Sequence, residues 1–385
     1  MENTGAISEP MREALRLARL GKGKTSPNPA VGAVVVSGGA IRGRGYHTWA
    51  NVKHAETVAL EEAGEAARGA TVYVTLEPCS HQGRTGPCAD RLIEAGVARV
   101  VAAMEDPNPR VNGAGFRKLR EADVAVAIEE AATREAERLN EAYIHFARTG
   151  LPLVTVKAAL TLDGKIAAPQ DNIGWITSEV ARANVQLVRH ESDAILTGIG
   201  TVSEDDCLLT DRSGLERSRP LLRVVLDSQL RIPLDSKMVT SAKGDVLVVG
   251  TSAAPVERRR ALEERGVEVF LADGGQGRTN IRDVLTVLAR RQYLSVMVEA
   301  GALVNWAFLD GQLADKVLFY YAPKILGGLK SLPVAGGAGR QRRADAILLD
   351  RLEVHPISTN EFVVEAYLTK GAGAAVGGTS TGPRG

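Results

Sequence analysis

The sequence is poor in cysteine and in aromatic residues, and it contains no long apolar run. Three cysteines among 385 residues are too few for the disulfide framework of a small secreted domain. No segment approaches the roughly 18 apolar residues that cross a bilayer, and the polar start, MENTGAISEPM, does not resemble a secretory signal. These absences predict a cytoplasmic protein without a membrane partner, whose cysteines bind metal or take part in catalysis.

An excess of charge of one sign is also missing. The chain has 47 basic and 46 acidic residues, which gives a net charge of +1. A dedicated nucleic-acid binder normally concentrates basic residues on one face or stripe. We therefore expect small-molecule substrates and no nucleic-acid partner. At this length one hydrophobic core is rarely enough, so two domains are expected.

A stop signal near the middle of the chain predicts the domain boundary. A helical pattern ends at Thr149-Gly150, and Pro152 follows, which is the usual order of residues beyond a helix end. We expect one domain over 1–149 and a second over 150–370. The tail, 371–385, consists mostly of Gly, Ala, Ser and Thr and is expected to be disordered.

Both halves alternate short apolar strands with amphipathic helices. This order predicts α/β domains with largely parallel sheets that are covered on both faces. In the first half we expect helices at 9–20, 54–67, 88–95 and 129–146 and strands at 31–36, 71–76 and 99–104. In the second half we expect strands at 153–159, 193–197, 222–226, 246–249 and 294–298 and helices at 178–189, 255–265, 281–291 and 302–309.

The strongest chemical signal is a set of metal-ligating residues in the first half. His54 precedes Glu56 by two positions, and the cysteines Cys79 and Cys88 follow, each directly after a proline. One imidazole and two thiolates suit zinc and leave its fourth position open to a water whose pKa falls towards about 7. In the first turn of a helix, Glu56 would reach that water and move its proton. This is the zinc-deaminase pattern, although eight residues separate the cysteines in place of the usual two.

The alternative is a closed structural zinc site or two unrelated buried thiols. A structural site normally has four protein ligands, and the only further candidate nearby is His81. The count of three ligands therefore favours a catalytic zinc, one per chain.

Three further stretches resemble the riboflavin-biosynthesis deaminases. They are 25–32 (TSPNPAVG), 78–88 (PCSHQGRTGPC) and 105–115 (EDPNPRVNGAG). The alternative for the first and third is ordinary turn chemistry. The resemblance implies a cytidine-deaminase-like three-layer fold with a pyrimidine nucleotide bound by Asn28, His47, Asp106 and Asn108. This chain differs from that family at Asn51, where glycine is usual, and at Gly86, where proline is usual.

The second half lacks the Gly-x-Gly-x-x-Gly fingerprint of dinucleotide-binding folds. Glycines instead stand between strands and helices in the segments 161–165, 174–178, 197–201 and 298–302. Backbone N–H groups at such positions can approach a pyrophosphate, although each segment alone could be a tight turn. In this order the segments resemble the reductase domain of bifunctional riboflavin-biosynthesis proteins, whose fold is similar to dihydrofolate reductase. With the deaminase half, the resemblance spans about 12 to 368.

The resemblance implies two groups of site residues in the reductase half. The residues expected to contact NADPH are Ala159, Trp175, Thr201, Asp205, Asp227, Gly301, Ala302, Leu303, Val304, Asn305, Trp306 and Ala307. The residues expected to contact substrate are Ile173, Arg189, Leu209, Arg212 and Glu299. A homo-oligomer formed through the reductase domain is also expected.

Some residues of this half differ from those usual in the family, and some charged residues have more than one possible role. Ile173 replaces a usual serine and Cys207 a usual proline. Arg189 and Arg212 have the planar shape that suits a phosphate, but surface ion pairs are the alternative. Lys157 and Asp205 both remain candidates for moving a proton.

The function implied is two consecutive steps of riboflavin synthesis. A diaminopyrimidinone ribonucleotide is first deaminated by hydrolysis, and its ribosyl group is then reduced to ribityl by NADPH. The rival hypotheses are a nucleic-acid-editing deaminase with an accessory binding domain and an inactive scaffold. The balanced charge argues against the first, and the intact residues His54, Glu56, Cys79 and Cys88 argue against the second.

Overall fold

The computed structural model describes residues 5–82, 86–109, 111–170 and 173–369. The helices are α1 (Glu9–Leu20), α2 (Ala55–Ala63), α3 (Cys88–Glu94), α4 (Ala114–Glu121), α5 (Glu130–Leu139), α6 (Glu141–Thr149), α7 (Glu179–Glu191), α8 (Ile199–Asp205), α9 (Lys237–Thr240), α10 (Val256–Glu263), α11 (Ile281–Arg290) and α12 (Ala302–Asp310). The strands are β1 (Gly32–Ser37), β2 (Ala40–Tyr46), β3 (Thr71–Val74), β4 (Arg99–Ala102), β5 (Ala125–Ile128), β6 (Leu153–Thr161), β7 (Lys165–Ala167), β8 (Ala194–Gly198), β9 (Leu222–Leu226), β10 (Val246–Gly250), β11 (Glu268–Leu271), β12 (Ser295–Val298), β13 (Lys316–Ala322), β14 (Leu332–Pro333), β15 (Leu349–Pro356) and β16 (Phe362–Leu368).

The first unit is a five-stranded sheet in the order β2-β1-β3-β4-β5. β1 is antiparallel to both β2 and β3, whereas β3, β4 and β5 are parallel. Apolar residues cover both faces: α2, α3 and α4 supply one hydrophobic cluster, and α1, α5 and α6 supply the other. Burial on both faces explains why β1 and β4 have continuous apolar sequences.

Two glycines of β2 fix the position of α2 and hence of the metal ligand that precedes it. A Cβ at Gly43 would lie 2.0 Å from the carbonyl oxygen of Ala59, and one at Gly45 would lie 2.1 Å from that of Ala55. The helix backbone therefore rests directly on the strand, a contact that only glycine permits. His54 caps the N-terminus of this helix.

The second unit is a nine-stranded sheet in the order β11-β10-β9-β8-β12-β6-β13-β16-β15. The strands from β11 to β13 are parallel, and β16 and β15 complete the sheet in antiparallel pairs. Its largest hydrophobic cluster packs β6, β8, β9, β10 and β12 against α11 and α12. β7 and β14 form a separate two-stranded pair. The carboxyl ends of the parallel strands meet at one edge, where ligands bind in open α/β sheets.

The two sheets share no strand among the described residues, but polar contacts join the units. The carbonyl oxygen of Gly23 accepts a hydrogen bond from the N–H of Ser218 at 2.9 Å. His190 packs so closely that a Cβ at Gly23 would lie 2.3 Å from its Nε2. On another face, Arg138 pairs with Glu353 at 2.7 Å. Loop 22–28 of the first unit therefore lies against α7 of the second.

Several secondary-structure predictions were wrong in detail. The strand predicted at 31–36 is β1, but the antiparallel strands β2, β15 and β16 were not predicted. The single helix predicted at 129–146 is divided into α5 and α6 at Asn140. The buried Asn140 side chain forms hydrogen bonds of 2.7 and 3.0 Å with the backbone of Ala30, and this contact accompanies the break. The tail at 371–385 lies outside the described residues. None of the helices in the described ranges is long and apolar enough to cross a membrane.

Candidate active sites

The three predicted metal ligands meet at the N-terminal ends of two helices. His54 caps α2, Cys88 is the first residue of α3, and Cys79 lies in the loop after β3. Nδ1 of His54 is 3.1 Å from Sγ of Cys88 and 3.6 Å from Sγ of Cys79. One donor atom from each residue lies within 4.8 Å of the other two. The structure thus brings together residues that are far apart in the sequence.

The chemistry of this donor set fits zinc. A hydrogen bond from the Cys88 thiol, joined by His54 and opposed by burial, lowers the pKa of Cys79 to about 4, so a thiolate is present at the site. Zinc takes such N/S sets in tetrahedral geometry. His81 is exposed, and the cluster contains three ligands among the residues that the structure describes. Three protein ligands are the number found in catalytic zinc sites.

Glu56 lies beside the ligands in the first turn of α2. Its side chain is buried, and burial raises the pKa of its carboxyl group above the ordinary value. Both residues lie in the turn that begins α2, and the electrostatic environment of Glu56 includes His54, Cys79 and Cys88. A buried carboxyl group of raised pKa next to a metal site is suited to accept and return a proton.

The predicted substrate residues of the first unit belong to three loops, between α1 and β1, after β2 and after β4. Nδ2 of Asn28 lies 3.1 Å from Nε2 of His47, and the His47 ring meets the His54 ring edge to face at a centroid distance of 5.2 Å. Asp106 is buried and accepts hydrogen bonds from the Asn108 N–H and the Tyr143 hydroxyl at 2.9 and 3.0 Å. The Asp106 carboxylate therefore supports its own loop.

Glu77 is a functional candidate to which the sequence reasoning gave no role. Its buried carboxylate accepts hydrogen bonds from the backbone N–H groups of Asp106, Gly113, Gly115 and Phe116, at 2.8 to 3.3 Å. These donors include the start of α4 and the loop that contains Asn108. A single carboxylate thus joins the Cys79 loop to the predicted substrate loop. Its position two residues before Cys79 was the one available signal.

The second unit contains a buried ionic cluster. Glu299, after β12, is held by two hydrogen bonds from Arg189 at 2.7 and 3.0 Å and by Nζ of Lys157 at 3.2 Å. Although burial opposes ionisation, Lys157 and Arg189 lower the pKa of Glu299 to about 2. The guanidinium of Arg189 also donates to the carbonyl oxygen of Thr210. The Arg189 guanidinium therefore forms its hydrogen bonds with groups of the protein itself.

The predicted cofactor residues surround the carboxyl ends of β8, β9 and β12. Thr201 and Asp205 lie on α8, Asp227 follows β9, and 301–307 form the cap and first turns of α12. Three fully buried oxygens here have no hydrogen-bond partner among the described residues: Thr197 Oγ1, Asp227 Oδ1 and Asn305 Oδ1. Such atoms are rare in protein interiors. The N-termini of α8 and α12, which follow Gly198 and Gly301, offer backbone N–H groups that fit the pyrophosphate of a dinucleotide such as NADPH.

The remaining predicted residues lie on other elements of the second unit. Ala159 is on β6 opposite Tyr320 of β13, and Leu209 is buried with a left-handed φ of 49°. Arg212 is exposed. Ile173 and Trp175 expose 94% and 67% of their surface, so neither packs into the core.

Comparison with known proteins identifies the chain. A profile described as the RibD C-terminal domain matches residues 152–359, and one described as the cytidine and deoxycytidylate deaminase zinc-binding region matches residues 6–104. The riboflavin biosynthesis protein RibD of Escherichia coli (strain K12) is 42% identical over 351 residues, which cover 87% of this chain and 92% of that protein. The chain belongs to the RibD family. RibD of Bacillus amyloliquefaciens is 41% identical over 335 residues, with 87% and 89% covered.

Solved RibD structures have the same architecture. RibD of Acinetobacter baumannii superimposes with a TM-score of 0.83 at 36% identity, covering 94% of this chain and 98% of that one. The Thermotoga maritima protein gives a TM-score of 0.78 at 34% identity with the same coverage, and its title describes a diaminohydroxyphosphoribosylaminopyrimidine deaminase and 5-amino-6-(5-phosphoribosylamino)uracil reductase.

Membership of the RibD family confirms the predictions of fold and activity. The first unit has a cytidine-deaminase-like fold, and the second has the dihydrofolate-reductase-like fold of the RibD reductase. The chain is a bifunctional enzyme of riboflavin biosynthesis, with a zinc-dependent deaminase and an NADPH-dependent reductase.

Proposed function

We propose that the chain converts 2,5-diamino-6-(5-phosphoribosylamino)pyrimidin-4(3H)-one to 5-amino-6-(5-phosphoribitylamino)uracil in two steps. The observation behind this proposal is the convergence of His54, Cys79 and Cys88 with the buried Glu56 in a chain that also contains a RibD reductase unit. The first step adds water and releases ammonia. In the second step the C1′–O4′ bond of the ribosyl ring breaks, C1′ receives a hydride from NADPH, and O4′ receives a proton to become a hydroxyl group.

In the deaminase step, we propose that His54, Cys79 and Cys88 hold zinc. When bound, zinc supplies the Lewis acidity that makes water a nucleophile near neutral pH. Glu56 takes a proton from the water and returns it to the departing ammonia, because its buried carboxyl group can occupy both protonation states. Asn28, His47, Asp106 and Asn108 form the surroundings of the pyrimidine, and Glu77 holds the loop of the last two in place.

In the reductase step, we propose that NADPH, the source of the hydride, lies along the segments Thr201–Asp205 and 301–307. Ala159, Trp175 and Asp227 complete that side of the site. Glu299, ionised and fixed between Lys157 and Arg189, faces the substrate together with Leu209 and Ile173. Since the guanidinium of Arg189 is engaged by Glu299, Arg212 is the better candidate for the substrate phosphate.

The proposal is tested by measuring metal content and both activities on the same preparation. We expect about one zinc per chain and hydrolytic release of ammonia from the diaminopyrimidinone ribonucleotide, followed by oxidation of NADPH. Cys88→Ala should lose zinc and deamination, because two ligands bind the ion far more weakly than three. It should still oxidise NADPH with pre-deaminated substrate. Full deamination by metal-free protein would contradict the assignment.

Arg212→Ala tests which reductase residue binds the phosphate. An arginine–phosphate contact is charge-assisted, so its loss is expected to cost about 1.5–3 kcal/mol. This corresponds to a roughly tenfold to hundredfold fall in kcat/KM, with NADPH affinity unchanged. NADPH binding and turnover should be measured separately. Arg259→Ala, an exposed arginine on α10 that pairs with Glu263, is the matched control. Weakened NADPH binding at constant substrate KM would assign Arg212 to the cofactor.

We further propose two domains, 1–149 and 150–370, a disordered tail at 371–385, a cytoplasmic location and a homo-oligomer formed through the reductase domain. The separate sheets and the end of α6 at Thr149 support the domain boundary. The edge strand β15 exposes Leu349, Leu352 and Val354 at 43–59%, which supports self-association there.

A further inference from the structure

His47 is a buried histidine whose hydrogen bonds determine which of its nitrogens carries the proton. Its ring is 4% exposed, and Nδ1 lies 3.0 Å from the carbonyl oxygen of Lys53. A carbonyl oxygen only accepts, so Nδ1 must be the donor. In a neutral imidazole one nitrogen donates and the other accepts. Nε2 of His47 is therefore an acceptor.

This acceptor determines the orientation of the Asn28 side-chain amide. The Asn28 atom 3.1 Å from Nε2 of His47 is Nδ2, the only donor that the amide can offer. With Nδ2 held, Oδ1 is left on the other side of the amide. Oδ1 makes no hydrogen bond to any part of the chain that the structure describes. The residue consequently presents an acceptor, not a donor, to a ligand.

Lys53 belongs to a turn that is closed by the side chains of Asn51 and Thr48. Oδ1 of Asn51 accepts the N–H of Lys53 at 3.2 Å, and the Asn51 N–H donates to Oγ1 of Thr48 at 3.1 Å. Asparagine commonly bonds the backbone two residues on in this way. The Asn51 side chain therefore fixes the loop that places the Lys53 carbonyl beside His47.

We propose that His47 is a positioning residue, fixed by the Asn51 turn, that orients Asn28 so that the deaminase selects a base edge bearing an N–H donor. An aminopyrimidine or a protonated ring nitrogen provides such an edge. The proposal rests on the assignment of Asn28 to the pyrimidine made above. His47 thus acts on the substrate through Asn28, and its removal should have the same effect as removal of Asn28.

A double-mutant cycle tests this dependence. Deaminase KM and kcat are measured for Asn28→Ala, His47→Ala and the double variant, with zinc content determined for each. We expect each single change to raise KM roughly tenfold with kcat little altered, since an oriented hydrogen bond to the base is lost. The double variant should be no worse than either single one, because both changes remove the same contact.

The possible results distinguish failure of this proposal from failure of the proposed function on which it rests. A roughly hundredfold rise in the double variant would show that His47 and Asn28 act independently, which overturns the proposal while keeping Asn28 at the base. An unchanged KM in Asn28→Ala would overturn both. If His47→Ala loses zinc because its ring packs on His54, Asn51→Ala decides instead. It should raise KM about two- to threefold with full zinc, and an unchanged KM would contradict the proposal.

Discussion

Replacing Glu56 with glutamine is expected to lower deaminase kcat by at least about a hundredfold while leaving zinc in place. Glutamine has nearly the same shape but cannot accept and return a proton, and positioned acid–base groups typically contribute factors of about 10²–10⁴. His54, Cys79 and Cys88 are untouched by this change. Ammonia release under saturating substrate measures the effect, and metal analysis of the same samples shows that the site is intact.

The matched control for Glu56 is Glu65→Gln, an exposed glutamate just after the same helix. It should deaminate normally. Both variants should reduce pre-deaminated substrate at the normal rate, because Glu299 and its partners lie in the other unit. Near-normal deamination by Glu56→Gln would mean that another group moves the proton.

Removing Arg189 is expected to give the largest loss in the reductase unit. Among the described residues, Arg189→Ala leaves the buried Glu299 carboxylate with Lys157 as its one cationic partner, and breaking a buried pair typically costs about 3–5 kcal/mol. We expect the reductase unit to unfold at lower urea concentration and reductase kcat/KM to fall by about a hundredfold or more. Because Arg189 is one of the two groups that lower the pKa of Glu299 against burial, this pKa should rise in Arg189→Ala. The loss of stability should therefore be largest at high pH and become smaller as the pH falls and the carboxylate is protonated.

Two variants show whether the effect belongs to the buried pair. Arg259→Ala breaks the exposed ion pair with Glu263 on α10 and should change little, because exposed pairs contribute little. Arg189→Lys keeps the charge but cannot make the two parallel hydrogen bonds to Glu299, so its defect should be intermediate. An Arg189→Ala protein as stable as Arg259→Ala would show that Glu299 does not depend on the guanidinium.

The sequence predicted the buried strands well, for a physical reason, and the three proposed metal ligands lie together in the structure. Strands such as β9 are continuous apolar runs, and the limits predicted for it, 222–226, agree with the structure. The strand β2, AIRGRGY, was missed because its glycines serve the approach of α2 and have no strand preference of their own.

The interactions of individual site residues were less predictable. The pairing of Arg189 with Glu299 joins positions that are 110 residues apart in the sequence. The role of Glu77 depends on backbone N–H groups, which nearly every residue has and which therefore leave no signal in the sequence. Similarly, the proton position on His47 follows from a carbonyl group that only the folded loop places beside it. Such contacts come from tertiary structure, which spacing alone does not reveal.

The close approach of His190 to Gly23 limits how freely the two enzymes could be exchanged between proteins. Gly23 has a φ of 73° and cannot take a side chain without displacing the imidazole, which Asp211 holds at 3.1 Å. Arg217 donates a hydrogen bond to the same carboxylate at 3.0 Å, so Asp211 and the His190 ring that it contacts are both held in place. A chimera that grafts a foreign reductase onto this deaminase would therefore need both the glycine and its matching histidine. Evolution of either surface is constrained by the other.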